Sequence, residues 1–235
     1  MDLLNLLGLC DDKRHVVALV GSGGKTTLLY KLCDAFHARG VRTAALTTTH
    51  IMRPAEREGL ALIINDDTCL AETCFTGGKI VLAGTPGADD KLEAPQDDML
   101  DFLLETADAV ISEADGAHTL PVKFPSKDEP VLLPHTTEVF VVAGLSALGQ
   151  PLCEVCHRWP LAMAACGFKG QQTPLTADML GRILAYGYGR YSPAFVLNQA
   201  DDEEMAAKGA EVKAALCKYG FTKVFVVSLK EGKTW

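Results

Sequence analysis

Residues 15–28 read His-Val-Val-Ala-Leu-Val-Gly-Ser-Gly-Gly-Lys-Thr-Thr-Leu, and the residue types and spacing in this stretch suit the capture of a phosphate. Gly21, Gly23 and Gly24 lack the Cβ that would hold an anion away, and with Ser22 they can point successive backbone N–H groups at it. Lys25 would reach the β- and γ-phosphates, while the Thr26 hydroxyl would go to Mg²⁺ and Thr27 would follow on the same turn. The helix that begins here adds the partial positive charge of its N-terminus.

A second stretch, residues 107–118, supplies acid. Its short apolar run ends in Glu113-Ala114-Asp115-Gly116. On an extended backbone Glu113 and Asp115 face the same side. Carboxylates in that place hold Mg²⁺, directly or through water, and orient an attacking water. Gly116 lets the chain pass close to a γ-phosphate. Residues 47–50, Thr-Thr-Thr-His, follow another apolar run at 41–46. The ligand rim of a parallel sheet lies at the carboxyl ends of its strands, so Thr48 and His50 are candidates for touching a second substrate or partner. Between 121 and 130 the prolines at 121, 125 and 130 exclude a helix or a central strand. We expect a rigid active-site loop there, with Lys123 meeting a phosphate or carboxylate in a catalytic role beside Lys25, Glu113 and Asp115. Arg158 could clamp an anion.

Asn198-Gln199-Ala200-Asp201 resembles the guanine-reading motif of GTPases, and Ser228-Leu229-Lys230 resembles its companion loop, with Gln199 where a lysine is usual. Asp201 and Glu204 also have capping-box spacing, so Asp201 is open to two readings.

The elements that must position these groups follow from periodicity. Residues 16–20, 41–46, 60–64, 80–83, 109–112, 139–143, 194–197 and 224–227 read as short buried strands. Leu28, Leu29, Leu32, Cys33 and Phe36 recur at helical spacing until Gly40. Further helices are expected at 97–106, at 176–187 with Thr176 as N-cap, and at 201–220 with Met205, Val212, Leu216 and Tyr219 inward. Strands alternating with helices predict a three-layer α/β/α phosphate-loop fold with a mainly parallel sheet.

The chain has 235 residues, 48% of them hydrophobic, which fits one nucleotide-binding domain over residues 1–235 with room for a small insertion around 145–190. A net charge of -8 without a basic run argues against nucleic acid as partner. The leucine-rich residues 1–10 carry Asp2 where a leader has positive charge, so a short packed helix is expected. No apolar run approaches membrane-spanning length, and we expect a cytoplasmic protein without a membrane partner. Of the eight cysteines, Cys33, Cys166 and Cys217 read as small buried hydrophobes. Cys153-Glu-Val-Cys156-His157 has the spacing of a haem attachment site, half a zinc site or a redox dithiol; free thiols beside a loop are the expected state.

Taken together, residues 20–28, 47–51, 113–117, 121–123, 129–131 and 198–201 resemble the YqeC family over nearly the whole chain. The resemblance implies an accessory role for molybdenum hydroxylases that carry a selenium ligand, in biosynthesis or insertion of a selenium- or molybdenum-containing cofactor, with the client hydroxylase as partner. It assigns no role to Cys153 and Cys156. The residues themselves leave the use of the nucleotide, ATP or GTP, open. Leu19 stands where the full loop has its first glycine, and the remaining Gly21-x-x-Gly24-Lys25-Thr26-Thr27 matches the shorter form of Mur-ligase-like and some metallochaperone proteins. An ATP-using ligase-like or kinase-like enzyme, a GTP-dependent metallochaperone switch and a nucleotide-sensing scaffold are all compatible.

Overall fold

The computed structural model describes residues 2–10, 13–116 and 119–235. Met1, Asp11 and Asp12 of the opening segment, and Ala117 and His118 at the end of the acidic stretch, lie outside the described residues.

The chain opens with α1 (Leu3–Leu7), capped by the Asp2 side chain, and then enters β1 (His15–Gly21), all seven residues of which are buried. After the glycine turn come α2 (Lys25–His37), β2 (Thr43–Thr47), β3 (His50–Met52), β4 (Leu60–Ile63), α3 (Thr68–Thr76), β5 (Ile80–Ala83), β6 (Thr85–Pro86) and β7 (Lys91–Glu93). The middle of the chain supplies α4 (Asp97–Thr106), β8 (Ala109–Glu113), β9 (Val122–Lys123) and β10 (Glu138–Gly144). Next are α5 (Leu152–Val155), β11 (Cys156–His157), α6 (Trp159–Cys166) and α7 (Ala177–Tyr188). The last elements are β12 (Ala194–Asn198), α8 (Glu203–Lys218), β13 (Val224–Ser228) and β14 (Lys233–Thr234).

Among the described residues nine strands form one sheet in the order β14-β13-β12-β10-β1-β8-β2-β5-β4, parallel except for the β13–β14 pair. Sheets covered on both faces need apolar side chains on both, which is why β1, β2, β5 and β8 read as continuous hydrophobic runs. Val17 and Leu19 face α1 and α2, against Leu4, Leu28, Leu32 and Phe36. Val16, Ala18 and Val20 face the other way. There α3 and α4 cover one half, through Phe75, Met99 and Leu103, and α6, α7 and α8 cover the other, through Leu180, Ile183 and Leu216. The expected three-layer α/β/α architecture with a mainly parallel sheet is therefore what the chain adopts.

Register sets the rim. Leu19 lies opposite Glu113, Thr47 also lies opposite Glu113, Gly21 lies opposite Val142, and Gly144 lies opposite Asn198. The glycine turn, the acidic stretch and the Asn198 loop thus leave the sheet at one edge.

Four expectations change. The helix α3, between two expected strands, is capped by Asp67, whose side chain accepts from the Leu70 N–H at 2.8 Å. Thr85–Pro86, which lies in none of the expected strands, forms one, and β3, β7 and β6 form a separate antiparallel sheet. The cap of α8 is Asp202, which accepts from the Met205 N–H at 2.8 Å, and not Asp201, whose carboxylate is taken by the Ser228 hydroxyl. Cys217 is exposed and Tyr219 is 37% exposed, because α8 buries Gly209, Val212, Ala215 and Leu216 and neither residue falls on that face.

Candidate functional site

The turn after β1 has the shape of an anion cradle, and its glycines are required. Gly23 has φ 83° and a Cβ there would lie 2.3 Å from the Gly144 nitrogen; Gly24 has φ 134° and its Cβ would lie 2.3 Å from Asn198 Nδ2. No L side chain fits either position. Lys25, 5% exposed, donates from Nζ to the Gly21 carbonyl at 2.8 Å and pairs with Asp115 Oδ1 at 3.0 Å. The Thr26 hydroxyl donates to Glu113 Oε1 at 2.5 Å. Burial pushes the Glu113 carboxyl up from its ordinary range, against the pull of Lys25 and the Thr26 bond. Ser22, Gly23, Gly24, Thr27 and these groups line a cleft of about 1140 Å³.

Thr26 and Glu113 offer two hard oxygens at the mouth of the cradle. That set fits Mg²⁺, which keeps several waters and takes few protein ligands when phosphates supply the rest. No group of three or more His, Cys, Asp or Glu able to hold a metal occurs among the described residues. A metal here would share its coordination with a phosphate.

Asp115 sits behind the cradle, fully buried. Its Oδ2 accepts from the Gly21 N–H at 3.0 Å and the Tyr188 hydroxyl at 3.2 Å, and lies 3.2 Å from Lys123 Nζ. Lys123 is itself fully buried, pairs with Glu129 at 2.7 Å and donates to the Gly116 carbonyl. Arg158 closes the chain on Glu129, with Nη2 3.2 Å from Oε1. The carboxylates that Lys123 and Arg158 meet are therefore the protein's own. Both cations stand behind the cleft rather than in its lining.

Burial opposes the charge on Glu129, but the bonds from Arg158 and Lys123 outweigh it and hold the carboxyl at about 2, below its ordinary 4.5. A depressed acid stabilises the fold above its unfolded pKa, and that contribution is lost as pH falls through the folded value. Acid titration of stability should therefore fall between pH 4.5 and about 2, and Glu129→Gln should flatten that limb. Chemical denaturation at stepped pH checks this; a Glu129→Gln protein with an unchanged acid limb contradicts it. Burial also lowers Lys123 against the pull of Asp115 and Glu129, and it raises Tyr188 well above the phenol range, keeping that hydroxyl a donor.

On the opposite flank Asn198 ties three segments together. Its Nδ2 donates to the Gly23 carbonyl at 2.8 Å and its Oδ1 accepts from the Leu229 N–H at 2.9 Å. Ser228 donates to Asp201 at 2.5 Å, and Trp235 Nε1 donates to the Ala200 carbonyl at 2.8 Å. Gln199 takes φ 71°, and its side-chain oxygen accepts from the Ser146 N–H at 3.3 Å. Asn198, Asp201 and Lys230 line the same cleft as the cradle.

The remaining sequence candidates separate. His50 is exposed and lines the cleft, whereas the Thr48 hydroxyl donates to the Val131 carbonyl at 2.7 Å and clips the end of β2 to the loop between β9 and β10. Cys153 and Cys156 are free thiols; burial pushes Cys156 up to about 12, so it stays protonated. Tyr188 and the role of Glu129 escaped the sequence reading. The former looks like any helical core aromatic, and the latter shows itself only through its place beside Pro130.

Hydrogenase maturation factor HypB from Archaeoglobus fulgidus is similar over 99% of this chain and 90% of its own, with TM-score 0.42 and 12% identity. Signal recognition particle 54 kDa protein from Aeropyrum pernix K1, solved in complex with GDP, matches over 98% of this chain and 48% of its own, with TM-score 0.45 and 15% identity. The uncharacterized protein YqeC of Escherichia coli strain K12 is 27% identical over 172 residues, 72% of this chain and 67% of that one. The YqeC protein family model matches residues 17–160, more than half of the sequence, and the chain belongs to the YqeC family.

Proposed function

We propose that the chain binds a Mg²⁺–nucleoside triphosphate, GTP in preference to ATP, and uses its turnover in an accessory step toward a molybdenum hydroxylase with a selenium-containing cofactor. The observation that carries the nucleotide reading is the Asn198 clamp, which joins the phosphate cradle at Gly23 to the loop at Leu229 and so links a base site to a phosphate site. The guanine preference follows from Asp201. With Asp202 serving as the helix cap and the Ser228 hydroxyl on Oδ1, Asp201 keeps Oδ2 at the cleft, where it can accept from the N–H groups of guanine. The client and its cofactor come from the family resemblance.

In this reading Lys25 leaves Asp115 for the phosphates, and Thr26 and Glu113 hold the metal. The Mg²⁺ ion supplies neutralisation of the charge that builds on the phosphate oxygens. Mg²⁺ beside Glu113 would favour the ionised carboxylate, which burial disfavours.

Calorimetric titration with GTP and with ATP, in Mg²⁺ at one ionic strength, tests this. Tighter GTP binding is expected, with Asp201→Asn reducing the preference at least tenfold. Asp202→Ala should leave the preference intact while lowering stability by about 0.5–2 kcal/mol through the lost cap. A preference for ATP would return the site to a ligase-like or kinase-like enzyme. Stimulation of hydrolysis by a client hydroxylase favours a switch, and stimulation by a small molecule favours a transferase.

A further inference from the structure

The site is laid out as a row across the sheet. The base loops leave β12 and β13, the cradle leaves β1 and the acidic stretch leaves β8; the next strand in that direction is β2. Neighbouring strands are about 4.8 Å apart, so whatever stands at the end of β2 lies one step beyond the γ-phosphate end of a bound nucleotide. There the chain enters β3, and the small β3-β7-β6 sheet begins.

That sheet has two unlike faces. Ile51 and Leu92, 4% and 1% exposed, point into the core beside α2. His50, Met52 and Lys91 point outward and line the cleft, with Met52 directly across from Lys91 and 56% exposed. Glu93, opposite His50, leans instead on Gly87, where a Cβ would lie 2.8 Å from its Cγ. The sequence makes room for His50 specifically. Gly116 has an ordinary backbone, and a Cβ on it would meet only His50, at 3.3 Å from Nε2. Neither the His50 ring nor the Lys91 ammonium has a side-chain partner among the described residues, although the molecule is acidic overall with net charge -8.

We propose that the outward face of β3 and β7 is the site of a small anionic co-substrate, a carboxylate or a phosphate, held by His50 and Lys91 over Met52 and facing the γ-phosphate. This rests on the nucleotide reading and names the chemistry of its second ligand. An ammonium and an imidazole lining one cleft supply donors for an oxyanion, and the methionine provides an apolar floor beside them.

The test begins with protein saturated by Mg²⁺ and a non-hydrolysable GTP analogue, so that the cradle's own anion position is filled. Inorganic phosphate and succinate are then titrated separately and followed by NMR shifts. At least one should bind in the millimolar range or tighter, with shifts on β3 and β7, and the His50→Gln/Lys91→Gln double variant should weaken it by about tenfold or more, or roughly 1.4 kcal/mol. Analogue affinity should be the same in both proteins. Selective binding of phosphate would identify a phosphorylated co-substrate, and of succinate a carboxylic acid. Binding of neither anion to the analogue-loaded wild type, or equal binding by the variant, overturns the proposal. If the analogue itself does not bind, the nucleotide reading falls and takes this inference with it.

Discussion

Lys25→Ala should weaken nucleoside triphosphate binding by about 2–5 kcal/mol, on the order of 30- to 3000-fold in Kd. The lysine stem is buried along the cradle, so its ammonium has only to turn from the Gly21 carbonyl and Asp115 to reach a phosphate. The same substitution should cost stability, because Asp115 Oδ1 takes no hydrogen bond among the described residues beyond its contact with Lys25. Calorimetry and thermal melting on the same samples separate the two effects. Wild-type affinity for both GTP and ATP in the variant would remove the central assignment.

Lys123→Ala should act the other way round, mainly on stability. The side chain is fully buried between Asp115 and Glu129, and removing it leaves two carboxylates short of a partner. Breaking such a pair costs about 3–5 kcal/mol, which for a domain of this size lowers Tm by roughly 6–20 °C. Lys123→Met retains the stem but not the charge and should recover only the packing part of the loss. A Lys123→Ala protein that melts like the wild type yet no longer binds nucleotide would show that the lysine reaches the ligand after all.

What the sequence made legible was whatever is local and periodic. The run from Val16 to Val20, the helix through Leu28, Leu32 and Phe36, and the cap at Thr176 all carry their pattern within a few residues, and all formed where expected. The helix at Thr68–Thr76 buries only Ala71 and Phe75, too few positions to show a period against its neighbours. The small sheet pairs His50 with Glu93, strands of three residues separated by a long stretch of chain, and no local pattern reports such a pairing. Lys123 illustrates a different limit. Its stretch, 121–130, reads as a proline-stiffened active-site loop with the lysine turned to a ligand, but its burial comes from β11 and Asp115 elsewhere in the chain and from Glu129 within the loop. Asp201 and Asp202 are chemically alike and adjacent; Ser228, brought in by β13, decides which of them caps the helix.

The position of β1 in the sheet has a consequence during synthesis. It leaves the ribosome well before its two partners, β8 and β10, which follow roughly 90 and 120 residues later. At ordinary translation speeds the interval before β10 emerges is roughly 6–24 s. Through that time a strand of seven buried residues has both edges unpaired, which makes the nascent chain a target for aggregation or for chaperone capture. The cradle must wait longer still, because its shape depends on Gly144 and Asn198. The phosphate loop, translated ahead of most of the sheet, takes its shape only once Gly144 and Asn198 are in place.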